Sequence, residues 1–161
     1  MRRFDLRSLH FDRDEHVWRR LPVDVDPFVL GGAEYVVEAG VVNVLLDVSR
    51  VGDRLTLSLS FAAVLHGPCA RCLEDAHLEV RAVDADYAVG GQSEDVGSAE
   101  APYVFGWLVD IGRWVRDVLG AALPMRILCQ DDCQGLCPIC GANLNRVEPG
   151  HSHDVESEGG R

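Results

Sequence analysis

RLTLSLSF, Arg54 to Phe61, is the stretch that decides the fold class. Leu55, Leu57, Leu59 and Phe61 alternate strictly with Thr56, Ser58 and Ser60. Period two puts the apolar set on one face and the hydroxyls on the other, so this is a half-buried strand with one wet face. We expect it to run to about Leu65 and to break at HGPCARC. Upstream, AEYVVEAGVVNVLLDV (33–48) is rich in valine and favours strands over a helix. Gly40 there marks a bulge or turn. Downstream, His77 to Val89 reads as another strand. Leu78, Val80 and Ala82 share one phase and Val83, Ala85, Tyr87 and Val89 the other, so a bulge is expected near Ala82. The short links between these strands favour antiparallel pairing.

The first twenty residues mix arginine with Phe4, Phe11 and Trp18, and Pro22 and Pro27 are expected to interrupt regular structure. After an acidic, glycine-rich loop, GGQSEDVGSAEAP (90–102), comes one helix, from about Asp110 to Ala122. Asp110 is placed to cap it, and Pro124 follows its end. Ile111, Val115, Val118, Leu119 and Ala122 form its apolar stripe, with Trp114 at the stripe's edge and Arg113, Arg116 and Asp117 towards water. The expected fold is therefore α+β: a β-rich antiparallel meander or partial barrel, one C-terminal amphipathic helix over the dry face of the sheet, and a zinc-knuckle-like cysteine tail. Residues 1–128 would be the β-rich domain with its covering helix 110–122. Residues 129–153 would be a Cys/His metal-binding segment packed on it, and 154–161 a disordered tail.

Totals narrow the function classes. The 161 residues carry a net charge of −11, which argues against a whole-surface attraction to nucleic acid. All fifteen basic residues are arginine, so Schiff-base lysine chemistry is excluded. No apolar run reaches signal-peptide or membrane-spanning length, and a cytoplasmic protein, bacterial in style, is expected. Ser–His–Asp context, a P-loop and HExxH are all missing, so an enzyme is not expected. In a reducing compartment clustered cysteines bind metal or do redox work more often than they form disulfides.

There are six cysteines in two clusters. Cys69 and Cys72 form CARC between two strands; Cys129, Cys133, Cys137 and Cys140 form CQDDCQGLCPIC, followed by GANLN. A CxxC turn points two sulfurs at one ion while backbone N–H groups donate to the thiolates, and Gly141 permits the positive φ that closes the turn. Three groupings are open. The downstream four could form a local finger. Cys69 and Cys72 could join Cys137 and Cys140. Or two ions could be held, one by Cys69, Cys72, Cys129 and Cys133, the other by Cys137, Cys140, His151 and His153. The third strands no thiol and ties a hairpin tip to the segment after the helix. Against it, histidines in a polar tail are ordinarily solvated. His66 is a further candidate ligand but reads better as a turn residue. A redox role for Cys69 and Cys72 is disfavoured because CARC lies between strands rather than at the start of a helix.

CARCLED, an amphipathic helix ending ALP, and then DCQGLCPICGANLN, with FDLRSL at the start, resemble the YceD-like proteins, a bacterial family linked to accumulation of large-subunit ribosomal RNA. The resemblance implies a role in large-subunit biogenesis, in handling or protecting the ribosomal RNA precursor, and no known enzymatic activity. The expected partner is that precursor RNA or a ribosomal protein, with no membrane and no small-molecule substrate. Many members carry CxC where this chain has His151 and His153. Some lack the CPxCG half, which points to Cys69, Cys72 and the Cys129–Cys133 region as the shared core site and so to the third grouping. For RNA contact, Arg2, Arg3, Arg7, Arg13, Arg19 and Arg20, interleaved with Phe4, Phe11 and Trp18, offer phosphate forks and stacking faces. The competing reading makes those aromatics core and the arginines a solvated edge. A second function class is an acidic adaptor or chaperone for a basic ribosomal protein, and a third is a thiol oxidoreductase.

Overall fold

The computed structural model describes residues 2–11, 16–52, 54–89 and 102–153. In chain order the strands are β1 (Phe4–Asp5), β2 (His16–Asp24), β3 (Phe28–Leu30), β4 (Ala33–Val37), β5 (Val41–Val51), β6 (Arg54–Pro68), β7 (Asp75–Val89), β8 (Val104–Phe105) and β9 (Leu108–Val109). They are followed by one helix, α1 (Ile111–Ala122).

The alternation that begins in RLTLSLSF extends through β6: Leu55, Leu57, Leu59, Phe61, Ala63 and Leu65 are all buried. β6 lies inside the sheet, with partners on both edges. Along one edge runs β7, in unbroken antiparallel register from Arg54↔Val89 to Pro68↔Asp75. The other edge is shared by β5 (Leu45↔Ser60 to Val51↔Arg54) and the end of β4 (Val36↔His66, Val37↔Leu65). Gly52 makes the tight β5–β6 turn with φ +64. β2 pairs β5 from His16↔Ser49 to Asp24↔Val41 and closes that side. The hairpin β3–β4, inserted between β2 and β5, extends the β6 edge instead of following a simple meander. Pro22 lies inside β2 rather than ending it, because β2 is an edge strand and a missing N–H there costs no ladder bond.

Helix α1 packs against both β2 and β7, the two ends of the run β2–β5–β6–β7, so this part of the sheet curls around it. Asp110 caps it, its carboxylate accepting from Arg113 N–H at 3.0 Å. Ile111, Trp114, Val115 and Leu119 are buried. Two details depart from the stripe expected: Ala122 is exposed, and Trp114 is wholly buried at the centre of the interface rather than at its edge.

The reason lies on β7. No bulge occurs near Ala82; the even-numbered residues keep facing inwards and Val83 stays 75% exposed. The inward phase therefore ends in two aspartates. Asp84 accepts the Trp114 indole N–H at 2.7 Å. Asp86, the one buried charged residue among those described, accepts from Tyr87 N–H at 2.8 Å and Tyr103 N–H at 3.3 Å. Burial pushes the Asp86 carboxyl above its ordinary range, and these two N–H donors partly offset that. Tyr103 stacks on Trp114 with ring centroids 5.3 Å apart. Polar side chains with partners occupy positions that the apolar count assigned to the other face. That is why the reading of this strand broke there. A short second sheet, β1–β9–β8, and the bond from Gly112 N–H to Arg2 O at 2.9 Å hold the N-terminus against the start of α1.

Trp114→Phe keeps the ring stack but leaves Asp84 without its indole donor. We expect a loss of about 1–3 kcal/mol in urea unfolding, the usual range for a half-buried charged acceptor that loses its donor. The same change made in an Asp84→Ala background should cost clearly less, so that a double-mutant cycle reads out the bond.

Candidate metal centres

The β6–β7 hairpin carries CARC at its tip. Cys69 N–H bonds to Glu74 O at 2.7 Å, and Leu73 N–H to Cys69 O at 3.1 Å. The turn after CPIC repeats this pattern: Cys137 N–H to Ala142 O at 2.8 Å, Gly141 N–H to Cys137 O at 2.8 Å. Each turn closes on a residue with positive φ, Gly141 at +72 and Leu73 at +62. The two CxxC segments are thus the same knuckle built twice. Only Gly141 advertised its conformation in the sequence, since leucine rarely adopts it.

The first knuckle docks on the segment that leaves α1, through Ala70 N–H to Ile127 O at 2.8 Å. This brings Cys69, Cys72, Cys129 and Cys133 together, with all four sulfurs within 4.8 Å of one another. Cys69 and Cys133 sulfurs are 3.7 Å apart, and those of Cys72 and Cys129 are 3.5 Å apart. Cys69, Cys72 and Cys133 are buried and Cys129 is half-buried. Burial works against a thiolate at Cys69, yet backbone N–H groups of Cys72, Arg71 and Cys129 outweigh it and hold that thiol at about 6. Cys129 is pushed up to about 12 by its contact with the Cys72 thiol, by burial and by the other two sulfurs. Four thiolates cannot coexist there without a cation to share.

Outside the sulfurs lies a ring of side-chain bonds. Asn145 donates its amide to Cys133 Sγ at 3.4 Å and accepts from Gln134 N–H at 2.7 Å. Asn143 Oδ1 accepts from Asn145 Nδ2 at 2.8 Å, and Asn143 Nδ2 donates to Glu74 at 3.3 Å. Arg146 pairs with Glu74 at 2.6 Å, and Arg71 donates to Cys133 O at 2.7 Å. In the sequence GANLN stood out only as part of the family motif, so these roles went unread. The signal available was an Asn-x-Asn directly after a CxxC knuckle. Such outer bonds fix and tune ligating atoms.

Cys137, Cys140, His151 and His153 form a second cluster, again with one ligand atom each within 4.8 Å. Cys137 Sγ is 3.3 Å from His153 Nε2, Cys140 Sγ is 3.5 Å from His151 Nε2, and the two Nε2 atoms are 3.0 Å apart. N–H groups of Cys140 and Ile139 draw the Cys137 thiol down to about 6. Both clusters could hold a metal ion. They adjoin through Gln134, Gly135 and Leu136. Gly135 has φ +79, and a side chain there would press on Arg71 O at 3.3 Å. Of the groupings open from the sequence, the structure assembles the third. His66 lies outside both clusters and is tilted against His77, with ring centroids 6.4 Å apart.

The arginines considered for RNA are dispersed. Arg2 and Arg3 line a cleft of about 350 Å³ with Arg113 and Arg116, but also with Asp24, Asp26 and Asp110, and Arg2 pairs with Asp26. Arg7 is held by Asp5 at 2.8 Å. Arg19 and Arg20 are exposed on β2 beside Trp18, which is 60% exposed. Phe4 and Phe11 pack partly against the core, Phe11 beneath Arg50. Arg13, the tail 154–161 and all but Pro102 of the acidic loop lie outside the described residues. No helix among the described residues is long and apolar enough to cross a membrane.

A family model described as large ribosomal RNA subunit accumulation protein YceD matches residues 57–158, and the chain belongs to that family. An uncharacterised protein of Mycobacterium tuberculosis is 32% identical over 112 residues, 68% of this chain and 54% of its own. One from Mycobacterium leprae is 32% identical over 123 residues, 74% of this chain and 56% of its own. The chain thus spans about half the length of these mycobacterial relatives. A chloroplastic protein of Arabidopsis thaliana, named large ribosomal RNA subunit accumulation protein YCED homolog 1, is 24% identical over 135 residues, 65% of this chain and 42% of its own. No solved structure matches the chain.

The positive φ of Leu73 yields a test of the first knuckle. Leu73 is 67% exposed, so Leu73→Gly removes strain without opening a cavity. It should leave thermal stability unchanged or raise it by up to about 1 kcal/mol. Leu73→Val, β-branched at the same φ, should lower it by about 1–2 kcal/mol.

Proposed function

We propose that this chain is a non-enzymatic, cytoplasmic factor in the biogenesis of the large ribosomal subunit, supporting the accumulation or processing of its ribosomal RNA, with zinc as a structural cofactor. The family match carries this reading: it begins on β6 and spans both knuckles and the histidine pair. Family membership supports the ribosomal RNA connection. The donor sets support zinc. A tetrahedral zinc site with Zn–S of about 2.3 Å and Zn–N of about 2.0 Å places sulfurs about 3.8 Å apart, sulfur and nitrogen about 3.5 Å, and two nitrogens about 3.3 Å. The first cluster's 3.5 and 3.7 Å, and the second's 3.0–3.5 Å, fit that pattern. Four cysteines, or two cysteines with two histidines, are the ordinary structural choices for that ion. The gathering of Cys69 and Cys72 with two further thiols favours a shared ion over disulfide cycling.

The partner is precursor ribosomal RNA or a ribosomal protein. The net charge of −11 favours a basic ribosomal protein, which this chain would chaperone as an acidic adaptor. Arg19, Arg20 and the exposed Trp18 on β2 are the residues best disposed to touch unpaired RNA. Depleting the protein should lower large-subunit ribosomal RNA relative to small-subunit RNA. Purified protein should then bind either a large-subunit RNA fragment, with a steep salt dependence, or a basic ribosomal protein. Unchanged RNA ratios on depletion count against the whole reading.

Metal analysis under reducing conditions tests the cofactor. Wild type should carry two zinc ions per chain and Cys69→Ser one, with the variant losing much of its unfolding cooperativity. A structural zinc contributes on the order of 10 kcal/mol, here across about sixty residues of chain. Metal-free protein with a Cys69–Cys72 pair that cycles with glutathione would instead make it an oxidoreductase.

A further inference from the structure

The two centres share a segment but not an environment. Ligands of the first come from residues 57 and 64 apart, paired Cys72 with Cys129 and Cys69 with Cys133. Releasing that ion means parting the hairpin tip from the segment after α1, against the Ala70–Ile127 and Arg71–Cys133 bonds. Cys69 and Cys133 are 0% exposed, so no competing ligand reaches their sulfurs in the closed state. The second centre differs on each count. All four of its ligands lie between Cys137 and His153, and Cys140 and His151 are open to solvent. Two thiolates and two neutral imidazoles also bring half the negative charge of four thiolates to a divalent ion. An incoming chelator can replace Cys140 and His151 one at a time while Cys137 still holds the ion. The hairpin need not open.

We propose that the centre formed by Cys137, Cys140, His151 and His153 is an exchangeable zinc site, filling and emptying with the free zinc around the protein, while the Cys69–Cys72–Cys129–Cys133 centre keeps its ion. This rests on the zinc reading above. The exchange has a local consequence. The second knuckle closes on Ala142, directly before Asn143, whose bonds to Asn145 and Glu74 brace the first centre. Emptying the second site loosens that brace and leaves the first ion in place. Zinc supply thereby reaches the surface around Glu74 and Arg146 without unfolding the domain.

The test uses the full chain loaded with zinc and challenged with the chromogenic chelator 4-(2-pyridylazo)resorcinol. Two ions should leave in two phases of equal amplitude, the second roughly 100-fold slower because it waits on local opening. Replacing His151 and His153 together by alanine should abolish the fast phase. The slow ion should remain, which also shows that the variant is folded. Cys140→Ser should do the same from the other side of the site. Release of both ions at one rate overturns the proposal, as does a fast phase that survives the histidine and Cys140 changes. One slow ion in wild type and variants alike removes the exchangeable site but leaves the zinc clasp standing. No zinc in either protein overturns the zinc reading itself.

Discussion

Four buried or half-buried thiols, drawn from the tip of the longest hairpin and from the segment after the only α-helix among the described residues, set the terms for the rest of this structure. Sulfurs at 3.5–3.7 Å cannot all ionise unless a cation shares them, and the opposed shifts of Cys69 and Cys129 express that conflict. The β6–β7 ladder runs without a break to Pro68↔Asp75, which delivers the knuckle to its place. Gly135 allows the chain to pass close to Arg71, and Asn143 and Asn145 fasten the second knuckle over the first.

The other organising constraint is the meeting of sheet and helix. Buried residues of β2, β5, β6 and α1 join in one apolar cluster, the common way a curled sheet buries one face. At the β7 end two carboxylates face inwards instead. Asp84 fixes Trp114, and Asp86 fixes the chain that returns from the acidic loop at Tyr103. A buried Asp raised above its ordinary range is costly when ionised. Of its two backbone donors, Tyr103 N–H ties the returning chain to β7, and the Tyr103 ring then stacks on Trp114.

Legibility followed the length scale of the physics. β6 could be read because six inward apolar residues alternate without exception. The helix limits were readable because Asp110 and Pro124 are local signals. Knuckle geometry at CPIC was readable from Gly141. Leu73 concealed the same geometry, because leucine gives no sign of positive φ and only the closing bonds impose it. The phase of β7 was misread at Asp84 and Asp86, since hydropathy assigns a carboxylate to solvent unless its partners are known. Pro22 was misread because an edge strand and a strand break look alike until the neighbours are counted. For the arginines, the sequence showed density near the N-terminus; only folding distributed them between a mixed-charge cleft, an ion pair with Asp5 and the edge of β2.

By itself the sequence determined the alternation that makes the sheet, the single capped helix, the two CxxC turns and the family to which these motifs belong, because each is written in residues within a turn or a strand of one another. Tertiary structure decided which thiols gather in one cluster, that Trp114 is the centre of the helix interface, and that two asparagines and a glutamate brace the first knuckle. The long-range contacts among them join residues 30 to 72 positions apart. No local rule reaches across such separations; only the register of β6 against β7 and the docking of the chain after α1 bring the partners within bonding distance.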